Sequence, residues 1–138
     1  MKFVLVINSK RNVPEAINAS GHVCVAIHKL LNGHDLKLRE FRDNEGAVVS
    51  MLTDFPLIVL SARNGAHLEE AHYAALGQGI PCSAFFDCMR TGTPEEQEEY
   101  VQSRALKEQE YITLALFGSD EQLRPITRRF SLLRANAG

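Results

Sequence analysis

A chain of 138 residues, 45% of them apolar and 23% charged, is long enough for one hydrophobic core, too short for two and too apolar to stay disordered. Its formal charge of −2 supplies no long-range attraction for a polyanion, which argues against a nucleic-acid partner. Three cysteines, Cys24, Cys82 and Cys88, without Cys-x-x-Cys spacing point to neither a disulfide framework nor a zinc site, and fit reduced thiols in a cytoplasm.

In chain order, Phe3 to Ile7 is an unbroken apolar run and predicts a central strand over about 3–8, buried on both faces. The run is far shorter than the ~20 residues of a membrane span, so no membrane segment is expected. Pro14 suits a helix start, and the helix is expected to run to about Asn32 with Gly33 as its stop. Its apolar residues leave only a narrow polar stripe of Glu15, Asn18, His22 and Lys29, which predicts cover on most sides. Asp35 to Phe41 alternates and reads as a half-exposed strand, whereas residues 42–55 give no clear signal.

Pro56 to Leu60 is a second buried run, and a turn at Arg63-Asn64-Gly65 leads to a helix ending near Gly77 and Gly79. Ile80 to Phe86 reads as a third buried strand. Thr93-Pro94-Glu95-Glu96 combines a capping threonine, a proline and a glutamate three residues after the cap, predicting a helix to about Lys107. Tyr111 to Phe117 is a fourth core strand. A terminal helix with Leu123, Ile126, Phe130 and Leu133 is expected to start at Pro125, and the tail from Arg134 to Gly138 is expected to fray. The whole chain reads as a single domain, residues 1–138. Strands alternating with helices imply a sheet covered on both faces, a three-layer α/β/α sandwich whose functional residues lie at strand ends.

The opening Lys2-Phe3-Val4-Leu5-Val6-Ile7-Asn8, followed by Pro14, Asn18-Ala19 and His22, resembles the start of the uncharacterised family named domain of unknown function 2000. The close, Leu114-Ala115-Leu116-Phe117-Gly118 with Ile126-Thr127 and Ser131-Leu132-Leu133-Arg134, is similar to the same family, so the resemblance spans nearly the whole chain. That family is related in fold to peptidyl-tRNA hydrolase type 2. The resemblance implies a mixed, mostly parallel four-stranded sheet between helices, and a homodimer. It implies a histidine at the place of His22 and an active-site aspartate at Asp87. The hydrolases' lysine near the helix start aligns with Glu15, a reversal of charge that repels phosphate where lysine attracts it.

Asp87 and His22 are therefore the candidate catalytic residues, and Asn8, Glu15, Asn18, Arg63 and Cys88 the candidate ligand-binding ones. Glu15, Asn18 and His22 share a helical face that is able to orient a ligand and move a proton; equally, Asn18 and His22 lock helix to sheet while Glu15 complements the helix dipole. Asp87, after a buried strand, acts as a base or positions water, or caps the next turn. Cys88 and His22 make a nucleophile and base only if the fold brings them together. Asn8 and Ser9, with Arg63 and Asn64, end two strands at one crevice, where Arg63 is able to bind an anion and Asn64 to cap a helix. His67 and His72 are five residues apart, not the four a shared metal needs on a helix, so no metal is expected. Neither a dinucleotide nor a P-loop motif occurs, and no cofactor is expected.

Glu95, Glu96, Glu98 and Glu99 on one helix and Arg124, Arg128, Arg129 and Arg134 near the end form charged faces. These read as solvated, with the arginines also placed to meet a phosphate or a partner subunit. The leading expectation is a domain holding a small ligand between the first strand, the first helix and Asp87, without peptidyl-tRNA hydrolysis. The rival is an ester or amide hydrolase, on a peptidyl-tRNA-like substrate, with Asp87 and His22 positioning water.

Overall fold

The computed structural model describes residues 1–31 and 33–134. Asn32, the expected last residue of the first helix, and the expected fraying of residues 135–138 lie outside the described residues. The elements run β1 (Lys2–Asn8), α1 (Val13–Leu30), β2 (Leu38–Arg42), β3 (Val48–Thr53), β4 (Leu57–Ala62), α2 (Gly65–Gly77), β5 (Cys82–Phe86), α3 (Pro94–Gln102), β6 (Tyr111–Gly118), α4 (Asp120–Thr127) and β7 (Ser131–Leu132). Short 3-10 turns occupy Asp87–Arg90 and Leu106–Glu108.

The main sheet has the order β5-β6-β1-β4-β7. β1 lies parallel to β4 and antiparallel to β6, in the register Asn8 to Ala62 on one side and Ile7 to Thr113 on the other. β6 is buried at every residue, which agrees with its unbroken apolar run. Side-chain alternation along β1 splits the core in two. Val4 and Val6 pack with Leu68, Ala71 and Ala75 of α2 and with Leu123 and Ile126 of α4. Leu5 packs on the opposite face with Ala19, Val23 and Ile27 of α1.

The expected sheet of four mostly parallel strands is corrected to five strands, with only the β1–β4 pair parallel among the four neighbouring pairs. Two causes account for this. β6 runs antiparallel to both of its neighbours, β5 and β1, so the chain enters it at the end of the sheet where β5 finishes and needs no crossover to a parallel strand. The fifth strand is the chain after α4, which turns at Arg128 and pairs with β4 through Leu60 and Ser61.

α4 begins earlier than Pro125. Ser119 accepts the Gln122 N–H at 3.1 Å while the Gln122 side chain accepts the Ser119 N–H at 3.0 Å. This reciprocal pair satisfies two first-turn donors and outweighs the single backbone bond that Pro125 removes inside the helix. The helix stops at Thr127, so Phe130 lies beyond it and Leu133 follows the last strand. α3 likewise ends at Gln102 rather than Lys107, and its expected cap is present: the Thr93 hydroxyl accepts the Glu96 N–H at 3.2 Å.

α1 buries only Ala16, Ala19, Val23 and Ile27, so the described residues do not supply the expected cover on most sides. Val13, Ile17 and Val25 remain two-thirds or more exposed. The illegible segment 42–55 is the second half of a hairpin. Asp43 and Gly46 make its turn, with Gly46 at φ 85°, a conformation that favours glycine. Every residue of β2 and all of β3 except Thr53 are exposed. No helix among the described residues is long and apolar enough to cross a membrane.

Candidate functional site

Parallel pairing of β1 with β4, and antiparallel pairing of β6, bring Asn8, Ala62, Phe86 and Tyr111 to one end of the sheet. Asn8 is buried there and fully engaged. Its Nδ2 donates to the Tyr111 carbonyl at 3.0 Å, and its Oδ1 accepts the Lys10 N–H at 3.0 Å. The Arg11 N–H donates to the Asn8 carbonyl, and Asn12 caps α1 by accepting the Glu15 N–H. The loop between β1 and α1 is thus fixed by its own polar atoms, and it presents Arg11 at the strand end.

Arg11 is the hub of the site. Its Nε lies 3.0 Å from Glu15, Nη2 bonds Asp87, and Nη1 stands 3.9 Å from Glu110. Arg90 closes the figure with 3.0 Å to Glu15 and 3.2 Å to Asp87. Two arginines and two carboxylates therefore alternate in a ring drawn from the first loop, α1 and the turn after β5. The hydrogen bond from Arg11, with that from Arg90, holds the Asp87 carboxyl below the usual carboxylate range even though partial burial opposes ionisation. An aspartate so held is a weak base at neutral pH. The negative charge of Glu15 is matched locally by both arginines.

Two cavities flank this ring. One, of about 850 Å³, lies between Val13, Ala16 and Ile17 of α1 and the segment from Ser131 to Arg134, with Asn8, Ser9, Arg11 and Ser61 as its polar wall. The other, of about 400 Å³, lies on the opposite side of Asn8 and Arg11, against the first turn of α2. Arg11 and Asn8 border both.

The expected catalytic pair is not assembled. His22 is exposed, its ring 5.5 Å from that of Phe85, in an apolar groove of about 510 Å³ between α1, β5 and α3. Asp87 borders a separate depression with Cys88, Tyr100, Gln109 and Glu110, and no hydrogen bond joins it to His22 among the described residues. Asn18 is exposed and has no side-chain hydrogen bond among the described residues, so the expected Glu15, Asn18 and His22 face does not converge. Arg63 is exposed and borders neither cavity. Asn64 caps α2, accepting the His67 N–H at 3.0 Å. Cys88 is half-buried against the core, and burial, with Asp87 beside it, pushes its thiol up, the reverse of an activated nucleophile.

Sequence reasoning missed Arg11 and Arg90. Their signal was spacing: Arg11 stands four residues before Glu15, and Arg90 three after Asp87, both distances at which side chains meet on a helical turn.

The family model described as "Protein of unknown function (DUF2000)" matches residues 1–134. The chain belongs to this family. A solved structure of a protein of unknown function from Agrobacterium tumefaciens strain C58 superposes with a TM-score of 0.83 at 18% identity, over 96% of this chain and 97% of that one. At that identity the likeness concerns the fold. No curated protein matches the chain. Membership in the DUF2000 family carries no assigned chemistry, so function rests on the site itself.

Proposed function

We propose that this DUF2000 protein is a small-ligand-binding domain without peptidyl-tRNA hydrolase activity, and that the ligand occupies the 850 Å³ cleft between α1 and the segment from Ser131 to Arg134. The observation that carries the reading is the pairing of Arg11 with both Glu15 and Asp87 at the wall of that cleft. It neutralises the carboxylates a hydrolase would use and leaves a concave, mainly apolar surface with a few polar groups at one end, the usual make-up of a ligand site. His22, remote from this ring in hydrogen bonding and in cavity, supplies no base for it.

The test has two arms. Purified protein incubated with a peptidyl-tRNA is expected to release no tRNA above background, and turnover abolished by Asp87→Ala overturns the reading. A fragment screen by ligand-observed NMR is expected to give binders that Ile17→Glu and Leu132→Glu each remove; both side chains are more than half exposed, so the fold tolerates the change. Binding untouched by either substitution places the ligand elsewhere and also overturns the reading.

We further propose that the chain acts as a homodimer in which a second copy covers the β2–β3 hairpin. Leu38, Val49, Met51 and Leu52 are each more than half exposed there. A two-stranded hairpin with no cover among the described residues is marginally stable in water, and exposed apolar side chains on both of its faces favour burial by a partner.

A further inference from the structure

The cavity of about 400 Å³ on the far side of Arg11 differs chemically from the apolar cleft. Its floor includes Gly65 and Ala66, the first two residues of α2. Asn64 caps the N–H of His67, whereas the N–H groups of Gly65 and Ala66 have no acceptor among the described residues, as the first turn of a helix leaves them. α2 has 13 residues, long enough for its aligned peptide dipoles to favour negative charge at this end.

Two lysines border the same cavity, Lys10 from the loop after β1 and Lys107 from the 3-10 turn before β6. Neither has a carboxylate within 4.0 Å among the described residues, unlike Arg11, which is committed to Glu15 and Asp87. Gln109 is the independent sign. It borders the cavity, is only 8% exposed, and its Nε2 has no hydrogen-bond acceptor among the described residues, while its Oε1 stands 3.9 Å from the Cys88 thiol. A buried amide donor without a partner is destabilising, and an acceptor brought by a ligand relieves it. Glu69 and Glu110 also border the cavity and oppose an anion; Glu110 is drawn to Arg11 at 3.9 Å, which leaves Glu69 as the main opposing charge.

We infer that this cavity binds the phosphate group of a small phosphate monoester, held by the Gly65 and Ala66 N–H groups, Lys10, Lys107 and the Gln109 amide. The inference goes beyond the cleft reading, since this cavity lies on the other side of Asn8 and Arg11 and takes a ligand of its own. The donors come from three separate segments, α2, the β1–α1 loop and the approach to β6. A tetrahedral oxyanion with three terminal oxygens meets that arrangement better than a planar carboxylate with two. The low net charge of the chain fits a single small anion and not a polyanionic strand.

Inorganic phosphate is the probe, titrated into the full chain at constant ionic strength and followed by backbone amide NMR, with acetate as the planar control. Saturable shifts of Gly65 and Ala66 are expected with phosphate and not with acetate. Lys10→Gln and Lys107→Gln, both on exposed positions, should each weaken phosphate by roughly 3- to 10-fold, the range for one charge-assisted contact near the surface. Glu69→Gln should tighten it. Gln109→Met should weaken it without lowering the melting temperature, since the unpartnered amide is removed. Absence of saturation, an equal response to acetate, or affinity unchanged in both lysine variants overturns the inference. If phosphate fails while fragments still bind at Ile17 and Leu132, the cleft reading stands and only the phosphate group is lost. If phosphate binds and fragments do not, the cleft reading fails by itself.

Discussion

His72 and Tyr111 show how burial sets protonation in this protein. The His72 Nδ1 lies 2.7 Å from the Tyr111 hydroxyl, and both residues are buried between α2 and β6. Desolvation lowers the His72 pKa and raises that of Tyr111, so both stay neutral in the folded state. The unfolded chain takes up a proton on this histidine near its ordinary value of about 6.5, before the folded chain does. The stabilisation is therefore complete above that value and falls as pH drops through it. Urea midpoints measured at pH 7.5 and 5.5 should decline in the wild type and decline less in His72→Gln. Asp87 titrates in a different window. Its folded pKa is depressed, chiefly by the Arg11 hydrogen bond, so its contribution is present above the ordinary carboxylate value and is lost only as pH falls below about 4. Asp87→Asn should flatten the acid limb and leave the slope between pH 7.5 and 5.5 unchanged. Arg11→Met leaves Glu15 and Asp87 with Arg90 alone, and chemical denaturation should show a loss of about 1–3 kcal/mol, less than for a fully buried pair because the ring is partly solvated.

At the scale of elements, α4 depends on its first turn. Ser119→Ala removes the hydroxyl that accepts the Gln122 N–H and should cost about 1 kcal/mol by thermal or chemical unfolding. Leu116, fully buried in β6 against the α2 face, should cost about 2–5 kcal/mol when cut to alanine. The caps of α3 and α4 carry the same physics, yet only Thr93 was legible, because a proline and a glutamate follow it in the positions a helix start prefers. Ser119 and Gln122 give the same capping box, and Pro125 drew the reading away from it. β2 was read as a strand, though as a half-exposed one where every residue is exposed, and β3 was illegible for a different reason. The apolar residues of β3 do not alternate against a core, since both faces of the hairpin are exposed, so the periodicity that marks a half-buried strand is missing there.

Among whole-molecule features, the exposed β2–β3 hairpin carries the apolar surface that the second copy covers in the proposed dimer. Sedimentation equilibrium at tens of micromolar should give twice the chain mass, and Met51→Glu with Leu52→Glu should give the monomer; a monomeric wild type ends the dimer proposal. Local chemistry decides the features that are legible along the chain. The apolar runs at β1, β4, β5 and β6 each named a strand, but burial follows fully only at β6 and largely at β1, whereas β4 buries only Ala62 and β5 only Phe85 and Phe86. Asn64 and Thr93 named helix starts because their side chains reach their own first turns. Which strands pair and which charges meet depends instead on packing between distant segments. Whether β6 lies parallel or antiparallel to β1 depends on contacts more than 100 residues apart in sequence, which no window along the chain contains. Likewise Asp87 and His22 both follow the expected pattern, but the fold gives Asp87 to Arg11 and Arg90 and leaves His22 in another groove. The reason is the same in both cases: spacing along one element fixes which side chains are neighbours on that element, whereas the partner across the sheet is selected by packing.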